Sequence, residues 1–283
     1  MRFGVNTSHI VISILAFLFI ATASASAGGP TVPHGFFFED PLAITGVKAN
    51  VEVINLDDSV DGVLIQNSYR VDIGLLNNTI GIYAKFPFAG VTSFGPADED
   101  EYNFGNIGIG GKLVLLNLEH AILTTGFEVI IPTSSQGFGS TAAQLYFRDA
   151  PYFLKNATTL VPFAVIAVGG DTFALQGNFA AEIITDAEEI EGDNTELRLK
   201  YGGTGSITPP LNLPFTTSLM VEVMAISTTS FADNVTEVFI TPGLRIGGQI
   251  MSVGAGVQIP AGEKVDNFAD ENFFFDLIIN FGS

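Results

Sequence analysis

Apolar and polar positions alternate with a period of two along most of this chain, the signature of extended strands with two unlike faces. The final stretch shows it most plainly. In residues 272–281, Phe273, Phe275, Leu277, Ile279 and Phe281 share one face, and Phe274, Asp276, Ile278 and Asn280 share the other. The pattern recurs upstream, with the polar face of each segment as follows. Residues 47–53 carry Lys48, Asn50 and Glu52; 63–73 carry Gln66, Ser68, Arg70 and Asp72; 79–88 carry Thr79, Tyr83 and Lys85. Residues 107–115 carry Gly108, Gly110 and Lys112, and 123–131 carry Thr124, Gly126 and Glu128. Residues 173–183 carry Gln176, Asn178 and Glu182, and 196–201 carry Glu196, Arg198 and Lys200. Residues 218–225 carry Ser218, Met220 and Glu222; 237–245 carry Glu237, Thr241 and Arg245; 251–259 carry Ser252, Gly254 and Gln258. Residues 160–168 are apolar on both faces, and their facing stays open. With the closing strand this makes about twelve. Ten residues are enough to cross a bilayer as a tilted strand. A strand survives in lipid only when its edges are closed. The pattern therefore predicts an all-β fold, an antiparallel transmembrane β-barrel.

Connection lengths provide a separate test. The turns after strands two, four, six and ten are short, at 77–78, 117–120, 169–171 and 247–249. Those after odd strands are longer, as at 89–104, 132–158, 186–193 and 261–271. Residues 204–214, with Pro209, Pro210 and Pro214, break the rule as a longer turn. Outer-membrane barrels alternate short periplasmic turns with long external loops, whereas a soluble β-sandwich has no reason to.

Charge adds a third test. Lys48, Arg70, Lys85, Lys112, Arg198, Lys200 and Arg245 all fall on the polar strand face, beside Glu52, Asp72, Glu128, Glu182, Glu196, Glu222, Glu237 and Asp276. A lipid-facing Arg or Lys at mid-bilayer costs roughly 2–4 kcal/mol. The polar faces therefore line the lumen. The expected pore-lining set is Lys48, Arg70, Asp72, Lys85, Lys112, Glu128, Glu182, Arg198, Lys200, Glu222, Glu237, Arg245 and Asp276, with no catalytic role for any of them. Much of the remaining acid lies in the long loops, at Asp57, Asp58, Asp61, 98–101, 186–193 and 263–271.

Composition narrows the classes further. Of 283 residues, 47% are hydrophobic and 14% charged, yet past the N-terminus no apolar run is long enough for a membrane helix. Residues 1–27 read as a secretory signal peptide, with Arg2, an apolar run at 10–20 and small residues at 23–27. Residues 28–283 then form the barrel, with an irregular segment at 28–44 that either enters the lumen, covers its mouth or hangs as a tail. Cysteine and tryptophan are absent, which leaves 25 Phe and 6 Tyr to supply aromatic belts. A net charge of −19 excludes nucleic acid as a partner. No P-loop or dinucleotide fingerprint is present, so no cofactor is expected. The acidic run 186–193 lacks EF-hand spacing and reads as a solvated loop, so no metal is expected either. Beyond the leader the histidines are His34, in the irregular segment, and His120, in a short turn. Neither sits on a strand beside Ser and a carboxylate, which argues against a hydrolase. Residues 132–158, with Arg148, Asp149, Tyr152 and Lys155, form either a constriction, an external cap or a further hairpin.

The closing strand resembles the carboxy-terminal assembly signal of outer-membrane proteins, although Gly282 and Ser283 follow Phe281. That resemblance implies the barrel-assembly machinery as a partner. Three other segments resemble a family of proteobacterial outer-membrane barrels known as MetA-pathway of phenol degradation proteins. They are the glycine-rich strand 104–112, the strand end 126–133 with Pro132-Thr133, and the pair Thr241-Pro242-Gly243-Leu244-Arg245 and Gly254-Ala255-Gly256-Val257-Gln258. The family's Asp is Asn106 here, and no Tyr follows Lys112. The resemblance implies an outer-membrane channel or transporter that passes small, often apolar or aromatic, solutes in contact with lipid and lipopolysaccharide. The competing readings are a non-conducting structural or interaction barrel and a soluble secreted sandwich.

Overall fold

The computed structural model describes residues 35–57, 62–94, 99–185, 195–211, 213–228, 235–248, 250–262, 265 and 268–282. The expected leader, His34 and the loop acids Asp58, Asp61, Asp98, Asp186, Glu188, Glu189, Glu191, Asp193, Glu263 and Asp266 lie outside the described residues.

The strands are β1 (Thr45–Leu56), β2 (Val63–Leu75), β3 (Ile80–Phe94), β4 (Glu99–Phe104), β5 (Ile107–Leu118), β6 (Ala121–Ile131), β7 (Thr158–Gly169), β8 (Phe173–Thr185), β9 (Thr195–Ile207), β10 (Thr216–Thr228), β11 (Thr236–Gly247), β12 (Met251–Pro260) and β13 (Ala269–Gly282). Neighbours in sequence pair antiparallel, and β13 pairs with β1 to close the ring, with Val47 opposite Ile279 and Asn50 opposite Asp276. The wall has twelve strands, because β4 pairs only with the far end of β3, Phe88 opposite Phe104. It continues the line of β5 beyond a kink at Gly105–Asn106, where the Gly105 N–H donates to the Pro87 carbonyl at 2.9 Å.

Every strand read from the sequence is present. Outward positions stay exposed around the ring, among them Val71, Ile82, Ile109, Phe127, Ile166, Phe179, Leu219, Ile240 and Phe275. Inward neighbours are mostly buried, including Asp72, Lys112, Glu128, Glu182, Glu222 and Asp276. The open facing of residues 160–168 is resolved: Phe163, Val165 and Ala167 point in, while Ala164, Ile166 and Val168 point out. Phe163 and Val165 are apolar inside because they pack with Tyr83 of β3.

Three boundaries differ from the sequence reading. Strand β3 runs on to Phe94, through the first part of the loop expected at 89–104. The acid-rich stretch 99–104 is strand β4, not loop. It lies past the end of β6, where its charges need not face an apolar medium. The turn expected at 204–214 begins later, because β9 runs to Ile207. Gly202, Gly203 and Gly205 carry no side chains and erase the period-two signal there, although Thr204 and Ser206 do point inward.

Residues 132–157 form no hairpin. They fold inward as helix α1 (Phe138–Leu145) and a short turn of 3-10 helix, Ala150–Tyr152. The helix buries Ala142 and Ala143, and Tyr146 at its end, against the upper wall. Strand β4 caps its start. Glu101 Oε2 accepts the Phe138 N–H at 2.7 Å, and Asn103 Oδ1 accepts the Ser140 N–H at 3.1 Å. These acceptors satisfy N–H groups that have no partner within the helix, and the Glu101 charge complements the helix dipole.

Candidate functional site

The lumen is filled from both ends. At the short-turn end the chain enters before β1, and residues 35–44 lie inside the ring. A Phe-rich stretch without strand periodicity has unpaired backbone groups, and the wall supplies partners for them. Glu222 Oε2 accepts the Phe36 N–H at 2.9 Å and the Thr204 hydroxyl at 3.1 Å, and Glu222 also accepts from Phe37 N–H. Gln176 Nε2 donates to the Glu39 carbonyl at 2.8 Å, and Thr124 Oγ1 donates to the Pro41 carbonyl at 2.5 Å. The rings of Phe36 and Phe37 pack on Phe274, with centroids 4.6 and 5.0 Å away.

The same segment brings its own acids to the cationic wall. Arg70 grips Glu39 with both terminal nitrogens, at 2.5 and 2.7 Å, and lies 3.6 Å over the Tyr83 ring. Lys112 Nζ reaches Glu39 at 2.8 Å and the Asp40 carbonyl at 3.0 Å, and Lys48 pairs with the Asp40 carboxylate. Burial by itself pushes the Glu39 carboxyl up. The Arg70 and Lys112 charges more than reverse that and hold it well below the usual carboxylate range. A forked Arg–carboxylate pair with two further donors satisfies the lone pairs that make a buried charge costly.

From the long-loop end the insert carries Arg148. Its guanidinium donates to Glu52 Oε1 at 2.6 Å, to Gln258 Oε1 at 2.7 Å and to Asp149 Oδ2 at 2.5 and 2.9 Å. It also lies 4.1 Å over the Phe37 ring, so the two inserts touch. Burial raises the Asp149 carboxyl, and Arg148 and Lys200 overcome it to leave the group well below its ordinary range. Tyr152 of the insert and Tyr83 of the wall both donate to Glu128.

Beside this contact the inserts and the wall line a partly open cavity of about 190 Å³. Seven of the expected pore-lining residues meet there: Lys48, Arg70, Lys85, Glu128, Glu182, Lys200 and Asp276. The other six face the interior away from it. Asp72 backs Arg70 at 2.7 Å, and Lys112 and Glu222 hold the N-terminal segment. Arg198 pairs with Glu182 at 3.2 Å and donates to the Phe147 carbonyl. Arg245 pairs with Asp276 at 2.8 Å, and Glu237 accepts the Val265 N–H under the last loop.

The sequence reading placed Glu52 on the inward face and Arg148 and Asp149 in a candidate constriction without joining them to this network, and it gave Glu39 and Asp40 no role. A wall with cations on neighbouring strands, entered by a segment ending Glu39-Asp40, carried the signal for those two. His120 lies exposed on the β5–β6 turn, 3.8 Å from Glu119.

No family model and no curated protein sequence matches this chain. Solved structures do. The COG4313 outer membrane channel from Pseudomonas putida F1 superposes with a TM-score of 0.58 at 16% identity, over 88% of this chain and all of that one. The β-domain of the Bordetella autotransporter BrkA superposes with a TM-score of 0.50 at 11% identity, over 84% of this chain and all of that one. At such identities the likeness is one of fold: this chain has the architecture of outer-membrane barrels.

Proposed function

We propose that this protein is a channel of the bacterial outer membrane that passes small molecules passively. The observation that carries the proposal is a closed twelve-strand ring, apolar outside, whose charged interior holds a partly open cavity between two inserts. A closed ring leaves no unpaired strand edge in lipid. The exposed apolar belt has no counterpart in soluble monomers, which rarely expose such continuous patches. The fold neighbour described as an outer-membrane channel supports the same reading. The resemblance to the phenol-degradation barrels supports solutes that are small and apolar or aromatic. The short turns would face the periplasm and the loops the lipopolysaccharide layer, with insertion by the barrel-assembly machinery.

Conductance in planar bilayers tests it. Wild-type protein gives small single-channel steps, and a variant with Arg70→Met and Glu222→Gln gives larger ones, because both changes loosen the N-terminal segment. Silent bilayers with both proteins would refute the channel. That result would favour the second reading, a non-conducting structural barrel. The observation behind the second reading is that inserts from both ends fill the lumen and touch at Arg148 and Phe37.

A further inference from the structure

The cavity between the inserts is not electrostatically uniform. Each carboxylate on its wall is already held, by a cation or, for Glu128, by two tyrosine hydroxyls. Two cations are not matched in the same way. Lys85 has no carboxylate within ion-pair distance among the described residues, and its ammonium rests 4.1 Å over the Tyr152 ring. Lys200 comes no nearer than 3.8 Å to Asp149, too far for a hydrogen bond, while Arg148 holds Asp149 at 2.5 Å. Each ammonium has three N–H donors. Asn178 lines the same cavity, and neither its amide nitrogen nor its amide oxygen has a partner. It sits on β8 beside Lys200 of β9, with Ala180 directly opposite Lys200. Buried polar groups are normally satisfied, and a cluster of unsatisfied donors marks a place for an acceptor.

One stretch of the lining near Asn178 is apolar, with Phe163, Val161, Ile130 and Ala180, while the remaining charged groups are the paired ones. Size narrows the occupant. A cavity of about 150 Å³ accepts benzene, so 190 Å³ accepts one ring with one small substituent.

We infer that this chamber is a binding site for a small organic anion, a monocarboxylate with an apolar body no larger than one ring, held by Lys85, Lys200 and Asn178. The carboxylate takes the lysine and amide donors, and the apolar body lies along Phe163. The site deepens the channel reading, on which its role as a stop on the route rests.

The test uses full-length protein in neutral detergent with 4-fluorobenzoate, followed by fluorine NMR and calorimetry. 4-Fluorobenzyl alcohol is the neutral control. Fluorobenzoate binds saturably and the alcohol does not. Lys85→Met and Lys200→Met each weaken binding about tenfold or more, the size of a lost charge-assisted hydrogen bond. Lys85→Arg keeps most of the affinity. Heat-dependent gel mobility verifies that each variant is a closed barrel. The site is refuted if wild-type protein does not bind fluorobenzoate, if the alcohol binds equally well, or if folded Met variants bind like wild type. Bilayer recordings separate the two claims. Conductance that fluorobenzoate neither blocks nor alters, in protein that does not bind it, sinks the site and leaves the channel. Saturable binding in protein without conductance supports the site and sinks the channel.

Discussion

Glu39 shows how one residue can decide whether the lumen is closed. Its carboxylate joins the N-terminal segment to the wall through Arg70, which it shares with Asp72, and through Lys112. Burial alone would raise its pKa, but the Arg70 and Lys112 charges lower it below that of a free glutamate and favour the ionised form. A group whose pKa falls on docking favours the docked state fully above its free value, about 4.3, and that contribution is lost as pH falls through the window beneath it. Loss of the Glu39 contacts should therefore open nothing between neutral pH and about 5. Larger openings should appear only below about pH 4.3, and Glu39→Gln should show them at neutral pH. Recordings across that range check it; openings that grow between pH 7 and 5 would contradict it. None of this was legible residue by residue. The period-two pattern identifies Arg70 and Lys112 as inward, but residues 35–44 have no period, so the match of Glu39-Asp40 to a cationic wall is the one signal of where Glu39 goes.

Among the elements, the strands were the most legible, because a side-chain period of two survives wherever one face is apolar and the other is not. It failed where side chains vanish or both faces agree, as at Gly202–Gly203 and in β7. Glycine also explains the strands that resemble known outer-membrane barrels. Gly110 of β5 leaves room for the Tyr83 ring, since a Cβ there would come within 2.2 Å of it, and Gly254 of β12 leaves room for Asp276, whose Oδ1 would lie 1.8 Å away. Gly254→Val should therefore displace Asp276 from Arg245 and strain the β11–β12–β13 wall. Overpacking of this kind costs about 1–3 kcal/mol, read as a lower temperature for loss of the compact gel band. An unchanged transition would show that Asp276 moves freely. Proline leaves the opposite mark. Pairing skips at Pro87, Pro162 and Pro242, where a ladder donor is missing, so the ring is closed but its hydrogen bonding is interrupted at three heights.

For the whole molecule, ring closure, turn alternation and charge segregation were all readable, because each repeats around the circumference. The contents of the lumen were not. They are single, aperiodic insertions whose placement depends on partners far away in sequence, such as Arg148 with Glu52 or Phe36 with Glu222. The sequence left residues 28–44 and 132–158 each with several placements, and only the fold shows that both enter the lumen.

The contact of Arg148 with Phe37 has a thermodynamic consequence. It joins two segments that share no sequence neighbourhood and enter the ring from opposite ends. A cation over an aromatic face is worth about 0.5–2 kcal/mol. Energy stored in one shared contact is reciprocal: whatever the helical insert gains from the N-terminal segment, the segment gains from the insert. A signal received by the outer loops would thus be felt on the inner side without any movement of the wall. A double-mutant cycle of Phe37→Leu and Arg148→Lys, scored by protease cleavage of each insert, should give a non-zero interaction of about that size, equal from either side. Additive effects would mean that the two ends of the lumen open independently.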